Sequence, residues 1–287
     1  MKIALNNKNQ WVELPHNDSR GMYIDALHKQ NLDMAKTIIK KDWDMIAVYD
    51  GYEGSGKSVK CMQDAFYCDP TLTLDRVVFN PEDFKKAILN AQKFQAVVFD
   101  EAYGGLSSRA AMSNVNRSIN QMLTVIRERN LFVFIVLPTF FDLDKYVALW
   151  RSRFLVNVYT ETNFQRGFFR FYNKDRKKIM YVGGKKFYDY NKGKHNYAGR
   201  FTNFYVLNEK DYRKKKRETS ITLDDGKTNI GNIAREIKQH ITINLKNSDL
   251  NLTQVKIAKI MDVTTQTIHN YIKKYDIDNN LLENRPI

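Results

Sequence analysis

Residues 51–58 read Gly51-Tyr52-Glu53-Gly54-Ser55-Gly56-Lys57-Ser58, and the apolar run Met45-Ile46-Ala47-Val48-Tyr49 stands just before them. The octet is a complete G-x-x-x-x-G-K-[ST] pattern. The run before it suits a strand buried on both faces of a parallel sheet. From Val59 to Tyr67 there is no Gly or Pro, which predicts a helix. A strand, a glycine-rich turn and a helix in that order let backbone N–H groups close around phosphate oxygens, with the positive end of the helix dipole behind them. Gly51, Glu53, Gly54, Ser55, Gly56 and Val59 then shape or flank the cradle. Lys57 would reach the β and γ oxygens of a nucleotide, and Ser58 would hold Mg2+. A glycine loop of purely structural purpose is the alternative reading.

Strand and helix patterns alternate on either side of this loop. Strands are expected at 45–50, 76–80, 96–100, 131–137 and 153–159, with helices at 57–68, 81–92, 112–128 and 143–150. Pro81 followed by Glu82 and Asp83 is a helix-start signal. This alternation predicts an α/β fold, a parallel sheet covered by helices on both faces. Residues 1–160 form the expected core, with 1–44 leading into it as an edge strand or two and a helix.

Beyond Thr160 the pattern changes. Short aromatic segments at 167–172, 178–182 and 186–190, separated by Asn173-Lys174-Asp175 and Gly183-Gly184, read as β-hairpins in a small extension over 161–212. Residues 213–228 read as a charged, flexible linker, and 229–287 as a small helical domain. Of the net charge of +14 across 287 residues, much lies between Asn173 and Arg217, where fifteen lysines and arginines face four acids. Such a concentration points to a polyanionic partner, DNA above all, with a solubilising surface as the alternative. Lys214, Lys215 and Lys216 are the densest part of it.

The longest clean apolar stretch, Leu131 to Leu137, is far too short to span a bilayer, and the first residues lack the apolar core of a signal peptide. Cys61 and Cys68 lie about two turns apart on the helix after the loop, too distant to bridge. A cytoplasmic location with reduced thiols is therefore expected.

Ala96-Val97-Val98-Phe99-Asp100-Glu101 is an apolar strand ending in two carboxylates. At a strand tip facing the phosphate loop, Asp100 can hold Mg2+ through water and Glu101 can orient and polarise an attacking water. Two acids in an ordinary turn are the plainer reading. The strand over 76–80 lies between the loop strand and this one. That insertion, with Glu following Asp, resembles the additional-strand, catalytic-glutamate branch of P-loop ATPases. Val98-Phe99-Asp100-Glu101-Ala102, Ile126-Arg127-Glu128-Arg129-Asn130 and Val136-Leu137-Pro138-Thr139-Phe140 bring the resemblance closer to FtsK/HerA-like ATPases of viruses and mobile elements, including zonula-occludens-toxin-like and genome-packaging ATPases. The resemblance covers roughly residues 43–172. It implies ATP and Mg2+ as cofactors, Thr139 as a γ-phosphate sensor, and assembly of the chain with itself into a ring. It also implies an arginine reaching a neighbour's site, for which Arg127 and Arg129 come first and Arg109 next, with portal or replication proteins as possible partners. Thr139 could equally cap the helix that follows it.

Residues 252–275 read as two short helices about the turn Asp262-Val263-Thr264, a pattern resembling a helix-turn-helix. The first has Val255, Ile257, Ala258 and Met261 as its apolar face; the second buries Ile268, Tyr271 and Ile272, with a third helix over 230–240. The second helix would then present Thr264, Thr265, Gln266, His269, Asn270 and Lys273 to DNA. A two-helix cap that binds protein is the other possibility. The functional expectation is an oligomeric, ATP-hydrolysing motor acting on DNA, with an ATP-dependent DNA-binding switch as the alternative.

Overall fold

β4 (Met45–Asp50) sets the layering. All six of its residues are buried. It pairs in parallel with β7 (Phe132–Val136) on one side and β8 (Ser152–Tyr159) on the other. A strand enclosed in this way has no face to offer water, hence its unbroken apolar sequence. Side chains alternate across it: Met45, Ala47 and Tyr49 face one cluster, Ile46 and Val48 the other. The first cluster is closed by α1 (Ala26–Ile39) and α2 (Lys57–Cys68), the second by α3 (Pro81–Asn90), α4 (Ser108–Glu128) and α5 (Lys174–Gly184).

The computed structural model describes residues 1–15, 18, 21–100, 108–219, 238–239, 241–243, 245–246 and 252–273, with 108–112 traced by backbone alone. The chain divides into two compact units, Met1–Ser220 and Ile221–Ile287. In the first, the sheet order is β10 (Tyr197–Arg200), β9 (Phe168–Tyr172), β8, β4, β7, β6 (Ala96–Asp100), β5 (Val77–Val78). Strands β8 to β5 run parallel, while β9 and β10 add antiparallel. The protein is thus α/β, with a seven-stranded, mostly parallel sheet flanked by helices. A separate antiparallel sheet, β2 (Trp11–Leu14), β1 (Lys2–Leu5), β3 (Met22–Tyr23), precedes α1. No helix among the described residues is long and apolar enough to cross a membrane.

β4, α2 and β6 have the limits expected from sequence. The strand over 76–80 shrinks to two residues and takes the outer edge; the strand lying between β4 and β6 in space is β7. The region 161–212 is not a set of hairpins. Asn173 caps a helix by accepting from the Arg176 N–H, and Lys177, Met180, Tyr181 and Gly184 bury one face of it. That spacing is helical and overrides the aromatic, strand-like composition of 178–182. Residues 167–172 do form a strand, but it extends the main sheet. Residues 213–219, expected within a linker, are helical and belong to α6 (209–219).

The basic stretch is also less outward-facing than its composition suggests. Lys177 is fully buried and donates to the Ala148 carbonyl. Burial, helped by Lys178 and Lys174, lowers its ammonium pKa to about 7.

A buried polar junction holds α1, α2 and the sheet together. Asp64 accepts from Lys60 Nζ at 2.6 Å and Tyr49 Oη at 2.7 Å, and meets His28 Nε2 at 2.8 Å. Lys60 also lies 4.6 Å from the Phe169 ring centroid. Burial alone would raise the Asp64 carboxyl, but His28 and Lys60 hold it down at about 2.

In the second unit, Thr253 caps α7 (Gln254–Ile260) by accepting from the Lys256 N–H. Residues 265–273 form α8. Ile257 and Ala258 pack with Ile268, Ile272 and Ile243, and Tyr271, Met261 and Val263 are partly buried against them. Val255, expected on the apolar face, is exposed. The region expected to supply a third helix, 230–240, lies almost wholly outside the described residues.

Removing the Asp64 charge leaves the Lys60 ammonium buried without its carboxylate, and breaking such a pair costs about 3–5 kcal/mol. Asp64→Asn should lose stability on that scale in urea denaturation, with Lys60→Met recovering part of the loss. A variant within about 0.5 kcal/mol of the parent would refute this role.

Candidate functional site

The loop after β4 is tied down from below by Asp50, the last residue of the strand. Its buried carboxylate accepts from Asn157 Nδ2 at 2.9 Å, the Phe140 N–H at 2.9 Å and the Tyr190 hydroxyl. Gly51 follows at φ 140°, where a Cβ would lie 2.0 Å from the Val158 carbonyl oxygen. Only glycine permits this approach of two backbones. Gly56, at φ 96°, starts α2 with no side-chain cap, so the first N–H groups of the helix are left without a side-chain acceptor. Ser55 Oγ is buried with no hydrogen-bond partner among the described residues.

The loop opens into a cleft of about 910 Å3. It lies at the carboxyl ends of the parallel strands, where open α/β sheets place their ligands. Burial lowers the Lys57 ammonium pKa; Asp100 opposes that shift and Lys216 adds to it. The Lys57 ammonium is bent back 3.4 Å from the Tyr52 carbonyl oxygen of its own loop. Across from it, Asp100 ends β6 and is 2 % exposed. The Tyr212 hydroxyl donates to Asp100 Oδ2, and Ser58 lines the same cleft. Burial and the Asp100 charge push the Tyr212 phenol far up, so it stays a neutral donor.

A hydroxyl and a carboxylate lining one cleft are a hard-oxygen donor pair suited to Mg2+. The glycine turn, the uncapped α2 and the unpartnered Ser55 hydroxyl suit phosphate oxygens. The residues present therefore fit a magnesium nucleotide: Ser58 and Asp100 would hold the metal, and Lys57 with the loop N–H groups would hold the phosphates. Among the described residues no group of three or more His, Cys, Asp or Glu gathers into a separate metal site.

The remaining candidates scatter. Glu101 lies outside the described residues, and Arg109 is described by its backbone alone, at the start of α4. Arg127 donates to the Asp42 carbonyl and Arg129 to the Ala91 carbonyl at 2.7 Å. Both acceptors precede strands, so these arginines sit at the amino end of the sheet. That is a strand length, roughly 17 Å, from the loop. Thr139 follows β7 near the loop, yet its Oγ accepts from the Phe141 N–H at 3.3 Å and lies 3.1 Å from the Tyr190 hydroxyl. It caps a 3-10 turn, the plainer of its two readings. Lys215 donates to the Leu74 and Val77 carbonyls at 2.8 and 2.9 Å, and Lys216 to Asp100 at 3.1 Å. Both are partly buried and engaged within the protein, whereas Lys214 is exposed. Thr264, Thr265, Gln266, His269, Asn270 and Lys273 are all exposed on the second unit. Thr264 also caps α8 through the Thr267 N–H at 3.2 Å.

Three contributors escaped sequence reasoning. Arg166 comes from the turn between β8 and β9, its guanidinium 3.7 Å from where a Gly54 Cβ would lie. Phe201 places its ring 3.2 Å from the corresponding point on Gly56. Gln63 Nε2 holds the segment after Phe201 through the Thr202 and Phe204 carbonyls, at 2.7 and 2.9 Å. Arg166, Phe201 and Tyr212 form a wall contributed from over a hundred residues downstream, and no local motif marks it.

Burial raises the Asp50 carboxyl to about 6 despite its three donors. Its folded pKa thus exceeds the unfolded 3.8, so the folded state binds the proton more tightly. Stability from this group should fall by about 3 kcal/mol as pH rises from about 4 to 6, then level off. Urea midpoints taken at about pH 4.5 and 7 should differ less in Asp50→Asn than in the parent; an unchanged difference would show that Asp50 does not titrate there. Comparison with family models, curated proteins and solved structures gave no match, and the functional reading rests on the site itself.

Proposed function

We propose that the protein is an ATPase whose cleft binds Mg·ATP and whose work is done on DNA by an oligomeric assembly. The observation that carries the reading is the placing of Lys57, Ser58 and Asp100 in one cleft, beside an uncapped helix start and a glycine loop. In that arrangement the loop N–H groups and Lys57 bind the triphosphate, and Ser58 and Asp100 orient the metal that neutralises it. Arg166 adds a cation from the same chain. Glu101, next after Asp100, is the residue proposed to position the attacking water. The additional-strand resemblance is supported by β7 lying between the loop strand and the Asp100 strand.

The DNA side of the proposal rests on the net charge of +14 and on the exposed polar face of α8. A motor would use such a face for non-specific grip in genome packaging, transfer or replication. A second reading, an ATP-dependent DNA-bound switch, is favoured by the same helix, because Gln266 and Asn270 are side chains able to read base edges.

The test is ATPase rate against added double-stranded and single-stranded DNA at low and moderate salt. Stimulation that fades with salt is expected, since phosphate contacts release counterions. Lys57→Ala should abolish nucleotide binding, whereas Glu101→Gln should bind ATP and fail to hydrolyse it. Normal turnover by Glu101→Gln would refute the water-positioning role. A rate indifferent to all DNA would move the switch, or a protein partner, to the front.

A further inference from the structure

Helix α6 lays one face on the cleft. Tyr212 and Lys216 are four apart and so share that face, with Arg213 and Arg217 flanking them along the same cleft. From the other side of the helix, Lys215 fastens α6 to the edge of the sheet through the Leu74 and Val77 carbonyls. The Lys216 ammonium is set 3.1 Å from Asp100 Oδ2 and 3.5 Å from the Tyr212 hydroxyl. A carboxylate that is 2 % exposed is thus neutralised by a lysine from a helix more than a hundred residues downstream.

Asp100 has a second use if the cleft is read as an ATP site, and the present inference rests on that reading. A divalent cation held by Ser58 and Asp100 would stand against the Lys216 ammonium, and two cations at contact repel strongly in a partly buried site. The same loading event brings in a polyphosphate, whose oxygens are better partners for an ammonium than a carboxylate already shared with a metal. We infer that Lys216 is a positioning cation for the nucleotide: it occupies Asp100 before loading and transfers to the triphosphate when Mg·ATP binds. Because α6 runs to residue 219 and the second compact unit begins at Ile221, the helix that registers nucleotide is the one leading into that unit.

Two binding measurements test this without turnover. Calorimetry with the non-hydrolysable analogue AMP-PNP and Mg2+ should show Lys216→Met binding about tenfold or more weakly than the parent, the range for loss of a charge-assisted hydrogen bond. Electron paramagnetic resonance with Mn2+ alone should show the opposite direction, tighter binding in Lys216→Met, because the competing ammonium is gone. A merely structural lysine would not produce opposite shifts in the two. Lys210→Met, an exposed change on the same helix, should leave both unaltered. Lys216→Gln, which keeps a donor to Asp100 without the charge, decides the matter if the methionine variant does not fold. Parent-like affinity for both ligands in a folded Lys216 variant overturns the inference while leaving the ATP site standing. Failure of the parent itself to bind AMP-PNP overturns the ATP reading, and the inference with it.

Discussion

A single buried carboxylate fixes where the glycine turn can be. Asp50 closes the central strand and takes hydrogen bonds from the strand on one side, through Asn157, and from the turn after the strand on the other, through the Phe140 N–H. Tyr190, from the segment after α5, adds a third donor. Three separate parts of the chain therefore converge on the residue immediately before Gly51, and the tight passage of Gly51 under Val158 follows from that clamp. A loop with several left-handed glycines would otherwise sample many shapes. Here its lower end is fixed by the sheet and its upper end by the first turn of α2.

The cleft above this clamp is built from two sources with different logic. Its floor is local: loop, helix start and strand tip, all within the parallel sheet. Its far wall comes from the segment after β10 and from α6, and it is basic and aromatic. Most of the positive charge between Asn173 and Arg217 stays at the surface, yet three of its lysines serve contacts within the protein. Lys177 is buried, Lys215 fastens a helix, and Lys216 neutralises Asp100. A count of lysines overstates the surface available to a polyanion when the fold uses several as internal anchors.

The floor was legible in the sequence because each part announces itself at short range: an apolar run, a fixed glycine spacing, a helix without breakers, a strand ending in acids. The wall was not, because Arg166, Phe201 and Tyr212 carry no local pattern and reach the loop only through the antiparallel turn at β9. The stretch 173–184 misled for a different reason. Aromatic and β-branched residues favoured strands, while the capping Asn173 and the spacing of Lys177, Met180, Tyr181 and Gly184 favoured a helix, and packing chose the latter. Arg127 and Arg129 end α4 at the amino end of the sheet, because a helix antiparallel to its following strand finishes there, so neither reaches the loop of its own chain. Thr139 showed the opposite lesson, since the plain capping reading already accounted for it.

The chain's only two cysteines, Cys61 and Cys68, are both buried on α2, and burial pushes both thiols well above their ordinary range. Thiolate is the reactive form, so neither side chain can compete for a maleimide in the folded protein. A cysteine introduced on the exposed face of α6 would be the one accessible thiol. The wild-type background therefore serves directly for attaching a fluorophore or spin label at a chosen point, with the native cysteines left in place.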